Sequence, residues 1–339
     1  MTPPTPLSSP VAGEMSAAGG AGNKEKIVMA RIVISEFMDE RAVAWLAQQH
    51  DVVMDPQLVD QPERLREAVS QCEALIVRNR TQVDSALLAA APHLKVVGRL
   101  GVGLDNIALD ECARRGIEVK PAQGGNADSV AEYVVTGALM LRRRAYASTE
   151  AMLQGQWPRQ ALMGCEVKGA VMGLVGLGVI ARATARLAMG LGMQVQAYDP
   201  HVPASDPVWQ TIDRCETLND LLGRADVLSL HVPLVDQTRH LLDRERLFCM
   251  KPQSVLINAA RGGVVDEAAL AEALTSGHLA GAMLDVFEQE PLAAGSVLEG
   301  APNLILTPHI AGVTEESNQR ISQMTAENVA IMLTSEEVS

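Results

Sequence analysis

The sequence predicts an α/β protein of two doubly wound domains, each a parallel sheet covered by helices, with a cleft between them. Three observations carry this. Short β-branched runs alternate with helical patterns along 31–306, and strands buried between helices on both faces form parallel sheets. The 339 residues suffice for two domains at about 150 residues each. Hydrophobic residues make up 47% of the chain but aromatics only 3%, so the core is aliphatic and methionine-rich, as when helices pack on a buried sheet. The formal net charge is −13. A diffusely acidic surface repels a phosphate backbone, so no nucleic-acid partner is expected, and an anionic substrate must be met by a local cluster of arginines.

The elements follow in order. Strands are predicted at 31–35, 51–54, 74–77, 95–98 and 117–119. Between them, helical spacing marks 39–49, 62–71, 85–90 and 109–115, the last stopped by Gly116. Residues 129–153 then read as one long helix, too long for a simple crossover. A second alternation has strands at 170–175, 193–198, 227–230, 254–257, 281–284 and 304–306, with helices at 180–189, 218–222, 243–248 and 266–276. The final amphipathic segment, 317–333, has no strand after it and is expected to return to the first domain. Residues 1–28 are rich in Pro, Ser, Ala and Gly without an apolar signal core, and are expected to be a disordered leader. No apolar run reaches the ~20 residues that span a membrane; the longest, 133–141, stops at Arg142-Arg143-Arg144. The five cysteines are widely scattered, with neither a C-x-x-C pair nor a Cys/His cluster. No metal site and no disulfide framework are therefore expected, and a cytoplasmic location is.

The sharpest local signal is Gly173-Leu-Val-Gly176-Leu-Gly178-Val-Ile-Ala181, which follows an apolar strand and opens a helix. That context is what a dinucleotide fingerprint requires. Gly176 permits the tight turn, Gly178 lets the backbone approach a pyrophosphate, and Ala181 lets helix pack on strand. The amides of Val179 and Ile180 then face the phosphates at the positive end of the helix dipole. Asp199, at the end of the second strand and 21 residues after Gly178, is placed to accept from ribose hydroxyls. A carboxylate there repels a 2′-phosphate, which favours NAD over NADP.

Three further segments each follow a predicted strand, where open parallel sheets bind ligands. They are Asn258-Ala-Ala-Arg261-Gly-Gly-Val-Val-Asp266, Leu284-Asp285-Val-Phe-Glu-Gln-Glu290-Pro291 and Leu306-Thr-Pro-His309-Ile-Ala-Gly312. With Val97-Gly-Arg-Leu-Gly-Val-Gly-Leu-Asp-Asn106, Gly125-Asn126 and Ala131-Glu132, they occur in the order found in the D-isomer-specific 2-hydroxyacid dehydrogenases, which the chain resembles over 31–333. The resemblance implies Rossmann/flavodoxin-like domains: an NAD-binding domain at 124–309 and a substrate-binding domain formed by 29–123 and 310–339. It implies a homodimer joined through the long helix. It also implies hydride transfer from NADH to the C2 carbonyl of a 2-keto acid, or the reverse. Carried over by motif, Arg261, Glu290 and His309 form the catalytic set. His309 donates or takes the proton on the C2 oxygen, Glu290 bonds its other ring nitrogen, and Arg261 binds the substrate carboxylate. Backbone amides at Gly101 and Val102 hold that carboxylate from the other domain. Val232, Pro233, Ala259, Ala260 and Asp285 join Arg261 and His309 around the cofactor. Formate oxidation is disfavoured, because relatives that perform it carry Gln where Glu290 stands.

The substrate stays open at this level. Arg78, Arg80 and Arg99 follow strands of the substrate domain, and similarly placed arginines in phosphoglycerate enzymes bind a distal phosphate. A second anionic group on the substrate is therefore expected, with Arg78 and Arg99 as its ligands. Two positions depart from the common pattern: Val102 replaces a threonine, and Ala311-Gly312 reverses the more usual order. The runs Ile34-Ser-Glu-Phe-Met-Asp39, Val77-Arg-Asn-Arg-Thr-Gln-Val83 and Trp157-Pro-Arg159 are most similar to the sulfolactate dehydrogenase branch. In sulfolactate the sulfonate-bearing carbon outranks the carboxylate, so the D arrangement carries the label S. Hydroxypyruvate or glyoxylate reduction, and an NAD-sensing co-repressor-like role without catalysis, are the alternatives.

Overall fold

The computed structural model describes residues 29–335, so the expected leader at 1–28 lies outside the described residues. The chain runs β1 (Arg31–Ile34), α1 (Glu40–Leu46), β2 (Asp51–Met54), α2 (Pro62–Val69), β3 (Ala74–Val77), α3 (Ser85–Ala90), β4 (Val96–Arg99), α4 (Leu109–Arg114) and β5 (Glu118–Pro121). These strands form a parallel sheet in the order β2-β1-β3-β4-β5. Next come α5 (Ala127–Arg143) and α6 (Thr149–Leu153). The second unit contains β6 (Val171–Val175), α7 (Val179–Gly190), β7 (Gln194–Tyr198), β8 (Asp213–Arg214), α8 (Leu218–Leu222) and β9 (Val227–Leu230). It continues with α9 (Arg244–Cys249), β10 (Val255–Asn258), α10 (Glu267–Thr275), β11 (Gly281–Leu284) and β12 (Leu304–Leu306). Its sheet is also parallel, in the order β12-β11-β10-β9-β6-β7-β8.

Central strands β3 and β11 are buried at every residue, as their uninterrupted apolar sequences require, and β9 and β10 are buried throughout although they carry Ser229 and Asn258. Asp39, Asp84, Thr217, Asp243 and Asp266 begin α1, α3, α8, α9 and α10 with side chains that accept from the first-turn amides. Such caps are worth about 1 kcal/mol each. The final helix, α11 (Glu315–Ser335), lies back on the first sheet, burying Ile321, Ala326, Val329 and Ala330 with Ile32, Ile34 and Ile76. Gly98 in β4 allows this approach, since a Cβ there would lie 2.6 Å from Val329 Cγ2. Gly137 similarly lets α5 lie against β11, where a Cβ would be 2.5 Å from Met283 Sδ.

Two elements differ from the sequence reading. The helix expected over 129–153 is two pieces, because α5 ends at Arg143 and Arg144 turns left-handed with φ +54°. The end is capped from outside. Cys165 donates its amide to the Arg142 carbonyl at 2.8 Å, and a Cβ on Gly164 would collide with the Arg142 and Arg143 carbonyls. The two-residue edge strand β8, exposed at both positions, has no apolar alternation to reveal it. Among the described residues no helix is long and apolar enough to cross a membrane.

Candidate active site

The glycine fingerprint forms the turn from β6 into α7. Gly176 has φ +88°, and a Cβ on it would lie 2.6 Å from the His231 carbonyl oxygen, so the turn needs glycine. Gly178 is the N-cap of α7, and a Cβ on it would meet nothing within 4 Å. Open space therefore lies before a helix start whose first amides, those of Val179 and Ile180, have no partner within the helix. Asp199 follows β7 and braces the turn, accepting from the Leu177 amide through Oδ2 and the His201 amide through Oδ1, both at 2.8 Å. Val232, just before Pro233 and after β9, borders Gly176 from the neighbouring strand. Ala259 and Ala260 follow β10. Asn258 fixes them by accepting from the Ala260 amide at 3.1 Å and donating to the Arg261 carbonyl at 2.9 Å. A glycine turn without room for a side chain, an open helix start and an acid at the second strand's end fit a dinucleotide.

Arg261, Glu290 and His309 follow β10, β11 and β12, three adjacent strands, at one edge of the sheet. Glu290 Oε2 lies 2.8 Å from His309 Nδ1, while Oε1 accepts from the Phe287 amide at 3.1 Å. A carboxylate only accepts, so Nδ1 carries the proton of that bond and Nε2 is the nitrogen left for a substrate. His309 itself stands at φ +55°, in a turn held by Asp285. The Asp285 carboxylate, 1% exposed, accepts from Thr307 Oγ1 (2.6 Å) and from the amides of Ile310 (2.8 Å) and Ala311 (2.7 Å). Its two oxygens thus brace the His309 segment. The loops after β10 and β11 are also packed together, since a Cβ on Gly262 would collide with Phe287 backbone.

From this edge Arg261 reaches to the first sheet. It donates through Nε to Asp105 Oδ2 at 3.2 Å and through Nη1 to the Ala260 carbonyl at 2.6 Å. A Cβ on Gly103 would run into its Nη2, so the 101–105 loop lies directly on the guanidinium. Val102 is partly exposed beside Gly101, whose φ is +144° and whose missing Cβ makes room for the Arg99 side chain. Arg99 donates through Nη1 to the Leu100 carbonyl at 2.8 Å, and its buried Nε has no hydrogen-bond partner among the described residues. Burial, then the charges of Arg261 and Arg78, push its guanidinium down to about 10, and Arg99 remains a cation at neutral pH. Arg78 is partly buried and donates through Nη2 to Asn318 Oδ1 at 2.6 Å. Three guanidinium groups therefore converge, and Arg80 is not among them. It turns outward to an exposed ion pair with Asp60.

The family model for the D-isomer specific 2-hydroxyacid dehydrogenase, NAD binding domain, matches residues 135–311. An (S)-sulfolactate dehydrogenase of Chromohalobacter salexigens is 61% identical over 89% of this chain and 97% of its own length. The chain belongs to the D-isomer-specific 2-hydroxyacid dehydrogenase family. A D-3-phosphoglycerate dehydrogenase of Mycobacterium tuberculosis is 40% identical over 90% of this chain, which spans 57% of that longer relative. The structure of D-lactate dehydrogenase from Aquifex aeolicus, complexed with NAD and lactic acid, matches with a TM-score of 0.78. It is 28% identical and the match covers 90% of this chain and 96% of that one. The protein is thus an NAD-dependent 2-hydroxyacid dehydrogenase.

Sequence reasoning missed three polar residues of the dehydrogenase's cleft: Glu36, Asp105 and Asn318. Asp105 lies within a recognised motif, yet its bond to Arg261 joins residues 156 positions apart. Asn318 is on α11 and Glu36 follows β1, so only the three-dimensional return of α11 and the neighbouring strands β1 and β3 bring both to Arg78. The one signal available was Glu36 itself, an acid just past the carboxyl end of a buried strand.

Proposed function

We propose that this dehydrogenase interconverts sulfopyruvate and (S)-sulfolactate, in the cytoplasm and as a homodimer. The observation that carries the reading is the convergence of Arg78, Arg99 and Arg261. One arginine serves the carboxylate shared by all 2-hydroxy acids. The other two exceed what a lactate-like monoanion needs, and a sulfonate uses them through charge-assisted hydrogen bonds. The 61% identity to an (S)-sulfolactate dehydrogenase supports the same substrate. The homodimer reading is supported by Tyr146, Leu153, Trp157 and Met163, large apolar side chains left exposed after α5. We assign 124–309 to the NAD-binding domain, and 29–123 with 310–339 to the substrate domain.

A nicotinamide held beside the cleft would supply or accept the hydride at C2, and the residues of this chain do the rest. Arg261 and the amides of Gly101 and Val102 hold the substrate carboxylate and so fix which face of C2 is presented. Arg261 also draws charge toward the C2 oxygen, where His309 delivers a proton from Nε2 during reduction and takes it back during oxidation. Glu290 fixes the ring by its bond to Nδ1 and stabilises the charge the imidazole bears between turnovers. Asp285 holds the turn from which His309 projects. Asp199, Gly176, Gly178, Val179 and Ile180 would hold the adenosine side of the dinucleotide, and Val232, Pro233, Ala259 and Ala260 would border the rest of it.

Incubation with NAD and each pure enantiomer of sulfolactate tests the proposal. NADH is expected from the S isomer and not from the R isomer. Oxidation of D-3-phosphoglycerate or D-glycerate, with neither sulfolactate isomer turned over, would overturn it.

A further inference from the structure

Glu36 is 5% exposed, and a carboxylate so deeply placed is costly unless its charge is met. Three backbone amides of one turn meet it. Oε1 accepts from Arg78 at 2.8 Å and from Thr81 at 3.0 Å, and Oε2 accepts from Arg80 at 3.2 Å. The turn is clamped on its other side too, because Asn106 Nδ2 donates to the Thr81 carbonyl at 2.6 Å and to that of Arg78 at 3.3 Å. Main-chain bonds thus fix the turn from both sides, and the Arg78 head is then held by the neutral amide of Asn318. No carboxylate lies within ion-pair distance of the Arg78 guanidinium among the described residues, and Glu36 attracts it only at longer range, so the head can still take an anionic ligand. The same turn sends Arg80 the other way, to Asp60.

We propose that Glu36 is a specificity-determining positioning residue: by gathering the 78–81 amides it aims Arg78 at the distal anion of the substrate. The inference rests on the reading that Arg78 binds that anion. Its sign separates it from a purely electrostatic role. Glu36 is a negative charge near Arg78 and Arg99, so by Coulomb attraction alone its removal strengthens the binding of an anion. A loss of anion preference on its removal therefore reports lost geometry.

The experiment compares kcat/KM for sulfopyruvate and for pyruvate in the full-length wild type, Glu36→Gln, Glu36→Asp and Arg78→Ala, with thermal melts of each. Glu36→Gln keeps the length but turns an amide donor toward backbone donors, and Glu36→Asp keeps the charge but is too short to gather all three amides. Both are expected to lower the sulfopyruvate-to-pyruvate ratio roughly tenfold, the scale of one misdirected charge-assisted bond. Arg78→Ala is expected to lower it at least as far. A ratio that stays level or rises in the Glu36 variants while Arg78→Ala lowers it overturns the role of Glu36 and spares the distal-anion reading. A ratio unmoved by Arg78→Ala overturns that reading and, with it, this inference. Equal losses for both substrates in the Glu36 variants mean a structural role alone and also overturn the proposal. If Glu36→Gln fails to fold, Glu36→Asp decides the question.

Discussion

Asp199 shows how one side chain serves both fold and cofactor choice. Its oxygens accept from Leu177 and His201, bracing the glycine turn, and its charge stands at the end of the second strand. Asp199→Ala is accordingly expected to weaken NAD binding and to narrow the NAD-over-NADP ratio of kcat/KM. A variant with the wild-type ratio would show that the discrimination lies elsewhere. The glycine turn, Asp199 and the His309–Glu290 pair were legible in the sequence because each lies in a short segment tied to the end of a strand. Glu36 and Asn318 were not, because their bonds to Arg78 span 42 and 240 positions and no local pattern encodes them.

Among the elements, the turn after β12 shows how a buried acid positions a catalytic group. Asp285 receives three hydrogen bonds from Thr307, Ile310 and Ala311, so the His309 segment is fixed to β11 on both sides of the ring. Asp285→Asn places an amide donor against those donors. It is expected to lower kcat by about 10- to 100-fold, the equivalent of one unsatisfied buried group, with NADH binding measured by fluorescence nearly unchanged. Weaker NADH binding with kcat intact at saturation would instead make Asp285 a cofactor ligand. At this scale the alternation of strands and helices was readable from the apolar runs. The end of α5 was not, because the Gly164–Cys165 backbone that caps it returns from outside the helix.

At the scale of the whole molecule, burial of one histidine makes native stability depend on pH. His231 ends the β9 segment beside the glycine turn, with Nε2 3.0 Å from Ser229 Oγ, and burial pushes its pKa down to about 4. The unfolded chain takes up a proton near 6.5, which the folded state refuses until about 4. The unfolded state thus binds more protons in that window, and native stability falls as pH drops through it. The loss attributable to His231 approaches roughly 3 kcal/mol at the lower end. Urea unfolding at several pH values is expected to show a shallower acid decline for His231→Asn than for wild type. Parallel declines would place the acid sensitivity in other groups. The two-sheet architecture was foreseeable from composition and periodicity, whereas the meeting of Arg261 from one sheet with Asp105 from the other appears only once the cleft is assembled.

NADH oxidation across a panel of 2-keto acids tests that cleft most directly. The panel pairs sulfopyruvate with pyruvate, glyoxylate, hydroxypyruvate and phosphohydroxypyruvate at one pH and ionic strength. If Arg78 and Arg99 read a distal anion beyond the carboxylate at Arg261, kcat/KM is highest for sulfopyruvate and at least about tenfold lower for pyruvate and glyoxylate. Equal or better turnover of the uncharged-side-chain acids would contradict it.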